Sequence, residues 1–291
     1  MRPYAEYLAM VESALPVQLN ALGEIPEPFR EAMLYSMEAG GKRLRPVLLL
    51  AACELLGKQA EDALPYACAL EMIHTYSLIH DDLPAMDNDS IRRGKPSNHV
   101  VFGEATAILA GDGLLSAAFE LMLKNASERE NGRGVRAALA IARRCGVTGM
   151  VAGQVLDIQG EGHAPTAESV RAIHLRKTAD LIIASVEAGF LLAGADNNQL
   201  TAGVDYARHL GMAFQMVDDL LDVTGEREKL GKGTGLDAAS GKQTWVAVNG
   251  IEKTRSDARD EVDAACKSIS VLSPEALWFT DLAQQTLHRI N

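Results

Sequence analysis

Several residue types are scarce in this chain of 291 residues, and each shortage argues against a class of protein. The four cysteines lie far apart and form no C-x-x-C pair, which disfavours both a zinc site and a disulfide framework. The 28 basic residues are outnumbered by 39 acidic ones, so the net charge is −11 and nucleic-acid binding, which needs a basic face, is not expected. Aromatic residues make up only 5% and β-branched runs are short, so the composition favours helix.

Long apolar runs are also missing. No run approaches the roughly 20 residues that a membrane span needs. The first ten residues include Glu6, where a signal peptide would be apolar. The remaining composition, 47% hydrophobic and 23% charged, is ordinary for a globular protein. We therefore expect a cytoplasmic protein without a transmembrane segment.

Apolar residues recur at helical spacing along most of the chain, and no alternating strand pattern is convincing. The segments with this spacing are 29–40, 45–57, 63–82, 104–124, 133–159, 167–194, 198–223, 254–267 and 274–289. Segment 63–82 is apolar around its whole circumference, which indicates a helix buried inside a bundle. The polar breaks at 87–99, 160–165 and 224–242 are too short for interdomain linkers. The sequence predicts one all-α domain of about ten helices over residues 1–291.

Two clusters of aspartates follow strongly apolar helices. The first, HDDLPAMDNDSIRRG, runs from His80 to Gly94, and the second, FQMVDDLLDVTGE, runs from Phe214 to Glu226. On a helix, Asp218 and Asp222 would project from one face about 6 Å apart along the axis. Carboxylates that lie close together in apolar surroundings cost several kcal/mol unless a cation neutralises them.

A hard divalent cation is the economical partner for these carboxylates. Magnesium takes oxygen ligands and is usually shared between one or two carboxylates and the phosphates of a substrate. Either cluster alone is more often a solvated acidic helix end or a cap. Because two clusters occur in equivalent positions, we favour magnesium and a phosphorylated ligand.

Cationic side chains stand where a diphosphate would need donors. Lys42, Arg43 and Arg45 follow Gly40 and Gly41, with Pro46 early in the next helix, so backbone and side chains together suit an anion. Other candidates are Arg92, Arg93, Lys177, Lys232 and Lys242, with Thr178 beside Lys177 and His74 two helical turns before Asp81. The alternative for each of these lysines and arginines is a solvated surface cation, and the alternative for His74 is a core histidine. Arg43 is interpreted as a bystander.

Together these motifs resemble the trans-isoprenyl diphosphate synthases, in their bacterial short-chain form. Asp81, Asp82 and Asp87 resemble the first aspartate-rich motif of that family, and Asp218, Asp219 and Asp222 resemble the second. The segments GQVLD (153–157) and RKT (176–178) and the position of Gln215 are similar to further family signatures. Ser90, Leu236 and Trp245 depart from the usual pattern. The resemblance implies an all-α bundle around a central cavity, a homodimer and three magnesium ions.

The resemblance also implies a role for each site residue. All six motif aspartates become metal ligands, with Asp81 and Asp87 on two ions and Asp218 on the third. Isopentenyl diphosphate would be bound by Lys42, Arg45, His74 and Arg93, and the allylic diphosphate by Arg92, Lys177, Lys232 and Lys242. Lys177, Thr178 and Gln215 would be the catalytic residues, with Thr178 and Gln215 flanking the reacting carbons.

Tyr76 and Ser77 would set the product length. An aromatic residue five positions before Asp81 resembles a floor that stops elongation near fifteen carbons, which implies farnesyl diphosphate as the product. Core packing is the alternative role for Tyr76. A geranylgeranyl diphosphate synthase, a terpene cyclase and a non-catalytic subunit of a prenyl synthase remain alternative functions for the chain.

Overall fold

The computed structural model describes residues 1–128, 132–224 and 242–289. They are 77% helical with almost no strand, which confirms the all-α fold class. The chain folds into two compact units, one with Met1–Leu139 and Ala188–Gly194 and the other with Ala140–Glu187 and Ala195–Asn291. The single domain over 1–291 stays a prediction.

The described helices are numbered here in chain order. They are α1 (Tyr4–Asn20), α2 (Phe29–Met37), α3 (Leu44–Leu55), α4 (Ala60–Asp81), α5 (Asn98–Phe102), α6 (Glu104–Ser127), α7 (Arg133–Cys145), α8 (Met150–Gly160), α9 (Ala167–Ile173), α10 (Asp180–Ala193), α11 (Asn197–Thr224), α12 (Trp245–Ser270) and α13 (Leu277–Leu287). A π-helical segment, His174–Ala179, separates α9 from α10, and a 3₁₀ turn, Pro274–Ala276, precedes α13.

The first unit is built around α4, which packs against α3 and α6. Its side chains are buried on all sides, including Tyr66, Leu70 and Ile73, so the predicted buried central helix is confirmed. Each such apolar side chain contributes roughly 1.5–3 kcal/mol by leaving water. After α4, strands β1 (Ile91–Arg92) and β2 (Lys95–Pro96) form a short antiparallel hairpin inside the predicted loop.

The second unit is organised by α11, which lies along α12 and also packs against the π-helical segment. Its core contains Val170, Met212, Met216, Val217, Leu221, Trp245 and Ala258. Helix α12 bends at Gly250, where φ is 75°, a conformation that glycine adopts without a steric cost.

Three helix predictions need correction. The helix predicted over 133–159 is two helices, because the chain turns at 146–149. A side chain at Gly149 would stand 1.9 Å from the carbonyl oxygen of Arg144, so this turn requires glycine. The helix predicted over 167–194 is interrupted by the π-helical segment, and α1 was not predicted at all.

Helix α6 bears on the expectation that the chain has no transmembrane segment. Within the described residues it is the one helix whose length and composition would suit a span. It packs against α2, α4 and α5, and 44% of its most apolar window is buried. Core helices of soluble proteins meet the same criteria, so this is weak evidence for a span.

Candidate active site

The first aspartate motif forms a tight turn at the end of α4. The backbone N–H of Asp87 donates to the carbonyl oxygen of Asp81 at 2.9 Å, which folds the motif back on itself. Leu83 caps the same turn by accepting from the backbone N–H of Asn88 at 3.1 Å. Asp81 and Asp87 are partly buried. The residues between Asp82 and Asp87 therefore form a loop that returns Asp87 to the backbone of Asp81.

Asp82 of the same motif has a different environment. It is 2% exposed, and its carboxylate accepts from Nε of Arg92 at 2.9 and 3.2 Å and also from Nη2. Arg92 reaches it because Arg93 and Gly94 both have positive φ and reverse the β1–β2 hairpin. This bidentate pairing disfavours the predicted role of Asp82 as a direct metal ligand. The same pairing engages the guanidinium of Arg92, which was predicted to bind diphosphate.

The hairpin also holds the loop that contains the first cations. Nη1 of Arg93 donates to the carbonyl oxygen of Gly40. Gly41 has a φ of 126°, a conformation that favours glycine, and the guanidinium of Arg93 lies where a side chain at this position would extend. Arg43 is buried and paired with Glu71, with 2.7 Å between Nη1 and Oε1, which confirms that it is a structural bystander. Lys42 is exposed next to it.

A group of cations surrounds His74 on α4. Nη1 of Arg45 lies 3.4 Å from Nε2 of His74. Burial, followed by the charges of Arg45, Arg93, Arg43 and Arg92, lowers the pKa of His74 well below its ordinary value. The imidazole is therefore neutral at pH 7 and carries one N–H donor. The first unit thus places a neutral donor and several guanidiniums together, an arrangement that suits an anion.

Tyr76 and Ser77 lie on the same helix. Tyr76 is 7% exposed and meets the ring of His80 edge to face, with 5.7 Å between centroids. The hydroxyl of Ser77 donates to the carbonyl oxygen of His74 at 2.9 Å. The five-residue offset between Tyr76 and Asp81 corresponds to a rise of about 7.5 Å along the axis of α4.

In the second unit, Lys177 lies in the π-helical segment. Its Nζ donates to Oδ2 of Asp157 at 2.6 Å. A side chain at Gly153 would stand 2.2 Å from the backbone nitrogen of Lys177, so glycine permits α8 to approach this closely. The GQVLD segment thus supplies both the contact and the counter-ion for Lys177. The sequence pattern singled out this segment but assigned no role to Asp157.

Thr178, Gln215 and Asp219 form a chain of hydrogen bonds, with Gln215 in the middle. The Thr178 hydroxyl donates to Oε1 of Gln215 at 2.8 Å, and Nε2 of Gln215 donates to Oδ1 of Asp219 at 3.0 Å. Oδ2 of Asp219 accepts from the backbone N–H of Trp245 at 2.6 Å. His174 lies beside the same oxygen at 3.4 Å, and burial lowers its pKa to about 3.

The other two aspartates of the second motif flank this group. Asp218 forms an ion pair with Nη2 of Arg289 at 2.7 Å, and Arg289 also lies over the ring of Phe214. Asp222 is 3% exposed. Arg289 was missed, because nothing in the local sequence distinguishes it from a surface cation. Over the described parts of the chain, no three His, Cys, Asp or Glu residues are grouped as a metal site.

Two of the remaining residues singled out in the sequence, Lys242 and Trp245, lie just before and at the first residue of α12. Lys242 is partly buried, while Lys232 and Leu236 fall outside the described residues. Trp245, a departure from the family pattern, begins α12 and is 8% exposed. Its indole Nε1 donates to Oδ2 of Asp257 at 2.9 Å. The departure therefore keeps the backbone donor for Asp219 and adds a side-chain bond within α12.

Known proteins resemble this chain over most of its length. The sequence profile named polyprenyl synthetase matches residues 26–271. The chain is 48% identical to the farnesyl diphosphate synthase of Geobacillus stearothermophilus over 88% of this chain and 86% of that protein. It is 44% identical to the geranylgeranyl diphosphate synthase of Cyanophora paradoxa, covering 90% and 87%. A solved FPP/GFPP synthase of Zymomonas mobilis has a TM-score of 0.84 at 33% identity, covering 98% and 97%.

Proposed function

This chain belongs to the polyprenyl synthetase family and is a short-chain prenyltransferase, and we propose that its product is farnesyl diphosphate. It would condense isopentenyl diphosphate first with dimethylallyl diphosphate and then with geranyl diphosphate. The buried ring of Tyr76, on the helix that ends in the first aspartate motif, is the observation that carries the product assignment. The Geobacillus relative, a farnesyl diphosphate synthase, supports it. We further propose a cytoplasmic homodimer.

The carboxylates fit magnesium by their chemistry. The oxygen ligands come in two pairs. A backbone hydrogen bond joins Asp87 to Asp81, and Asp218 and Asp222 lie one helical turn apart on α11. One or two carboxylates per ion, completed by phosphate and water, is the usual coordination of magnesium. We propose that these four residues hold three ions in the substrate complex. When bound, magnesium stabilises the negative charge that develops on a departing diphosphate.

The cations of each unit would bind and orient diphosphates. In the first unit, Arg45, neutral His74 and Arg93 lie together, and we propose that they and Lys42 bind isopentenyl diphosphate. In the second unit, Lys177 is held by Asp157 and would bind the allylic diphosphate with Lys242 and Lys232. Arg92, in the first unit, holds Asp82, and its expected role in binding the allylic diphosphate stays a prediction.

The reaction itself needs no nucleophilic side chain. The allylic carbon–oxygen bond breaks and its electron pair leaves with the diphosphate, so an allylic cation forms. The double bond of isopentenyl diphosphate attacks this cation, and the new carbon–carbon bond leaves a tertiary cation. A proton then leaves to the released diphosphate, which restores a double bond. The residues of the chain orient both substrates for the reaction and exclude water, because water would quench the cation.

Thr178 and Gln215 would contribute at the cation. Their hydrogen bond leaves the oxygen atom of the Thr178 hydroxyl able to direct its lone pairs at positive charge. Fixed dipoles of this kind stabilise developing charge without reorganising during the reaction.

A geranylgeranyl product is the second candidate, because the Cyanophora relative carries that name at 44% identity. A cyclase is disfavoured by three aspartates in the second motif, where cyclases typically mix Asn or Asp, Ser or Thr, and Glu. A non-catalytic subunit is disfavoured because both aspartate motifs are kept.

One assay separates these functions. The purified protein is incubated with magnesium, isopentenyl diphosphate and either dimethylallyl or geranyl diphosphate, and products are analysed by chromatography after phosphatase treatment. We expect a linear fifteen-carbon alcohol from both allylic substrates. A twenty-carbon alcohol would establish the geranylgeranyl alternative, and a cyclic hydrocarbon would establish a cyclase. No product from either substrate would contradict the proposed activity.

A further inference from the structure

We propose that Asp219 is a positioning residue that sets the polarity of the Thr178–Gln215 hydrogen bond, rather than a metal ligand. The expected effect of Asp219 on turnover rests on the proposed function, whereas its contacts with Gln215 and Trp245 do not. The sequence grouped Asp219 with Asp218 and Asp222 as a ligand, but the contacts of the three side chains differ.

Protein donors already engage both oxygens of Asp219. Oδ1 accepts from the Gln215 amide at 3.0 Å, and Oδ2 accepts from the backbone N–H of Trp245 at 2.6 Å. The side chain is 2% exposed. Because the side chain is buried and each oxygen already accepts from a protein donor, Asp219 has less capacity left for a metal ion than an open carboxylate would have.

The charge of Asp219 also fixes the direction of the neighbouring bonds. An ionised carboxylate only accepts hydrogen bonds, so Gln215 must turn its NH₂ group towards Asp219. The carbonyl oxygen of the Gln215 amide then faces Thr178, whose hydroxyl must donate at 2.8 Å. The Thr178 oxygen is thereby kept as an acceptor, the polarity that stabilises a carbocation.

The same carboxylate fixes the beginning of α12. Trp245 is the first residue of that helix, and the preceding Thr244 accepts from the N–H of Ala247 at 3.2 Å. An anion at a helix N-terminus is favourable because the first N–H groups have no partner within the helix. Asp219 therefore ties α11 to α12 while it orients Gln215.

Asparagine at this position separates the two roles. In Asp219→Asn, the amide oxygen still accepts from Trp245, while its NH₂ group donates to a flipped Gln215. Gln215 would then donate to Thr178, so the connection is kept with the opposite polarity. We expect the thermal midpoint measured in EDTA to stay near that of the wild type. We also expect kcat to fall about tenfold or more, with little change in KM.

Metal binding provides the second readout. Calorimetry with magnesium and inorganic diphosphate should give the same affinity for Asp219→Asn as for the wild type. Asp218→Asn, at the adjacent residue of α11, is the matched control and should weaken magnesium binding. Asp219→Ala should lower the thermal midpoint in EDTA, because the Trp245 and Gln215 donors lose their acceptor.

Two results would overturn the inference. One is a loss of magnesium affinity in Asp219→Asn as large as in Asp218→Asn. The other is wild-type kcat in Asp219→Asn, since the reversed polarity of the Thr178–Gln215 bond would then have no effect on turnover. If the wild type forms no prenyl product, the proposed function fails, yet the EDTA midpoints of the Asn and Ala variants still decide whether Asp219 holds the start of α12.

Discussion

Removing the buried Glu71 carboxylate should destabilise the protein strongly. Oε1 of Glu71 accepts from Nη1 of Arg43 at 2.7 Å, and the two side chains are 1% and 2% exposed. Arg43 also donates to the carbonyl oxygen of Met37 and holds a left-handed φ of 49° immediately before α3. In Glu71→Leu the guanidinium would stay buried without its counter-charge.

The size of the effect follows from this burial. Breaking a buried ion pair by removing one partner costs roughly 3–5 kcal/mol. For a large domain, 1 kcal/mol lowers the thermal midpoint by about 2–4 °C, so Glu71→Leu should lower it by roughly 10 °C. The double variant Arg43→Met/Glu71→Leu should recover most of this loss, because a pair of apolar side chains carries no desolvation cost.

Calorimetric unfolding of the single and double variants measures the effect. Arg208→Met is the matched control, because Arg208 and Asp205 form an ion pair that is 39% and 35% exposed and worth at most about 1 kcal/mol. The KM for isopentenyl diphosphate should also rise in Glu71→Leu, since Arg43 lies between Lys42 and the helix that carries Arg45. A midpoint within about 2 °C of the wild type would refute the reasoning.

Three further predictions concern the site. Asp81→Ala and Asp218→Ala should each lower turnover by orders of magnitude in the prenyl transfer assay, and near-normal turnover in either would exclude its metal role. Tyr76→Ala should shift the products towards twenty carbons or more, and an unchanged length distribution by chromatography would contradict the floor. Gly153→Ala should lower the free energy of unfolding by about 1–3 kcal/mol and reduce kcat, because its methyl group would lie 2.2 Å from the backbone nitrogen of Lys177. A wild-type free energy of unfolding and kcat would show that α8 shifts to accommodate the methyl group.

Local sequence was a good guide to most helices. Segment 198–223 became α11 (Asn197–Thr224), because its apolar residues repeat at one helical period and no glycine pair interrupts them. The break at 146–149 contains two glycines, Gly146 and Gly149. It was missed because separated glycines are tolerated inside a helical pattern and only the approach of Gly149 to Arg144 decides the turn. The π-helical segment was also missed, because no residue pattern within it distinguishes it from an α-helix.

Partners distant in sequence were much harder to predict. Lys177 was expected to bind diphosphate, and nothing in its own segment indicates that Asp157, twenty residues earlier, lies against it. Asp82 and Arg92 were both identified, but their mutual pairing depends on the reversal of the hairpin at Arg93 and Gly94. Arg289 became visible only through its contact with Asp218.

The sequence by itself determined the all-α class, the family and the residues of the two aspartate motifs. These depend on side-chain periodicity and on the identities of neighbouring residues, which are local properties. Only the tertiary structure decided how the aspartates differ, with Asp82 held by Arg92 and Asp219 held by Gln215 and Trp245. The reason is that a carboxylate's role depends on which donors reach it, and those donors arrive from segments that only folding brings close.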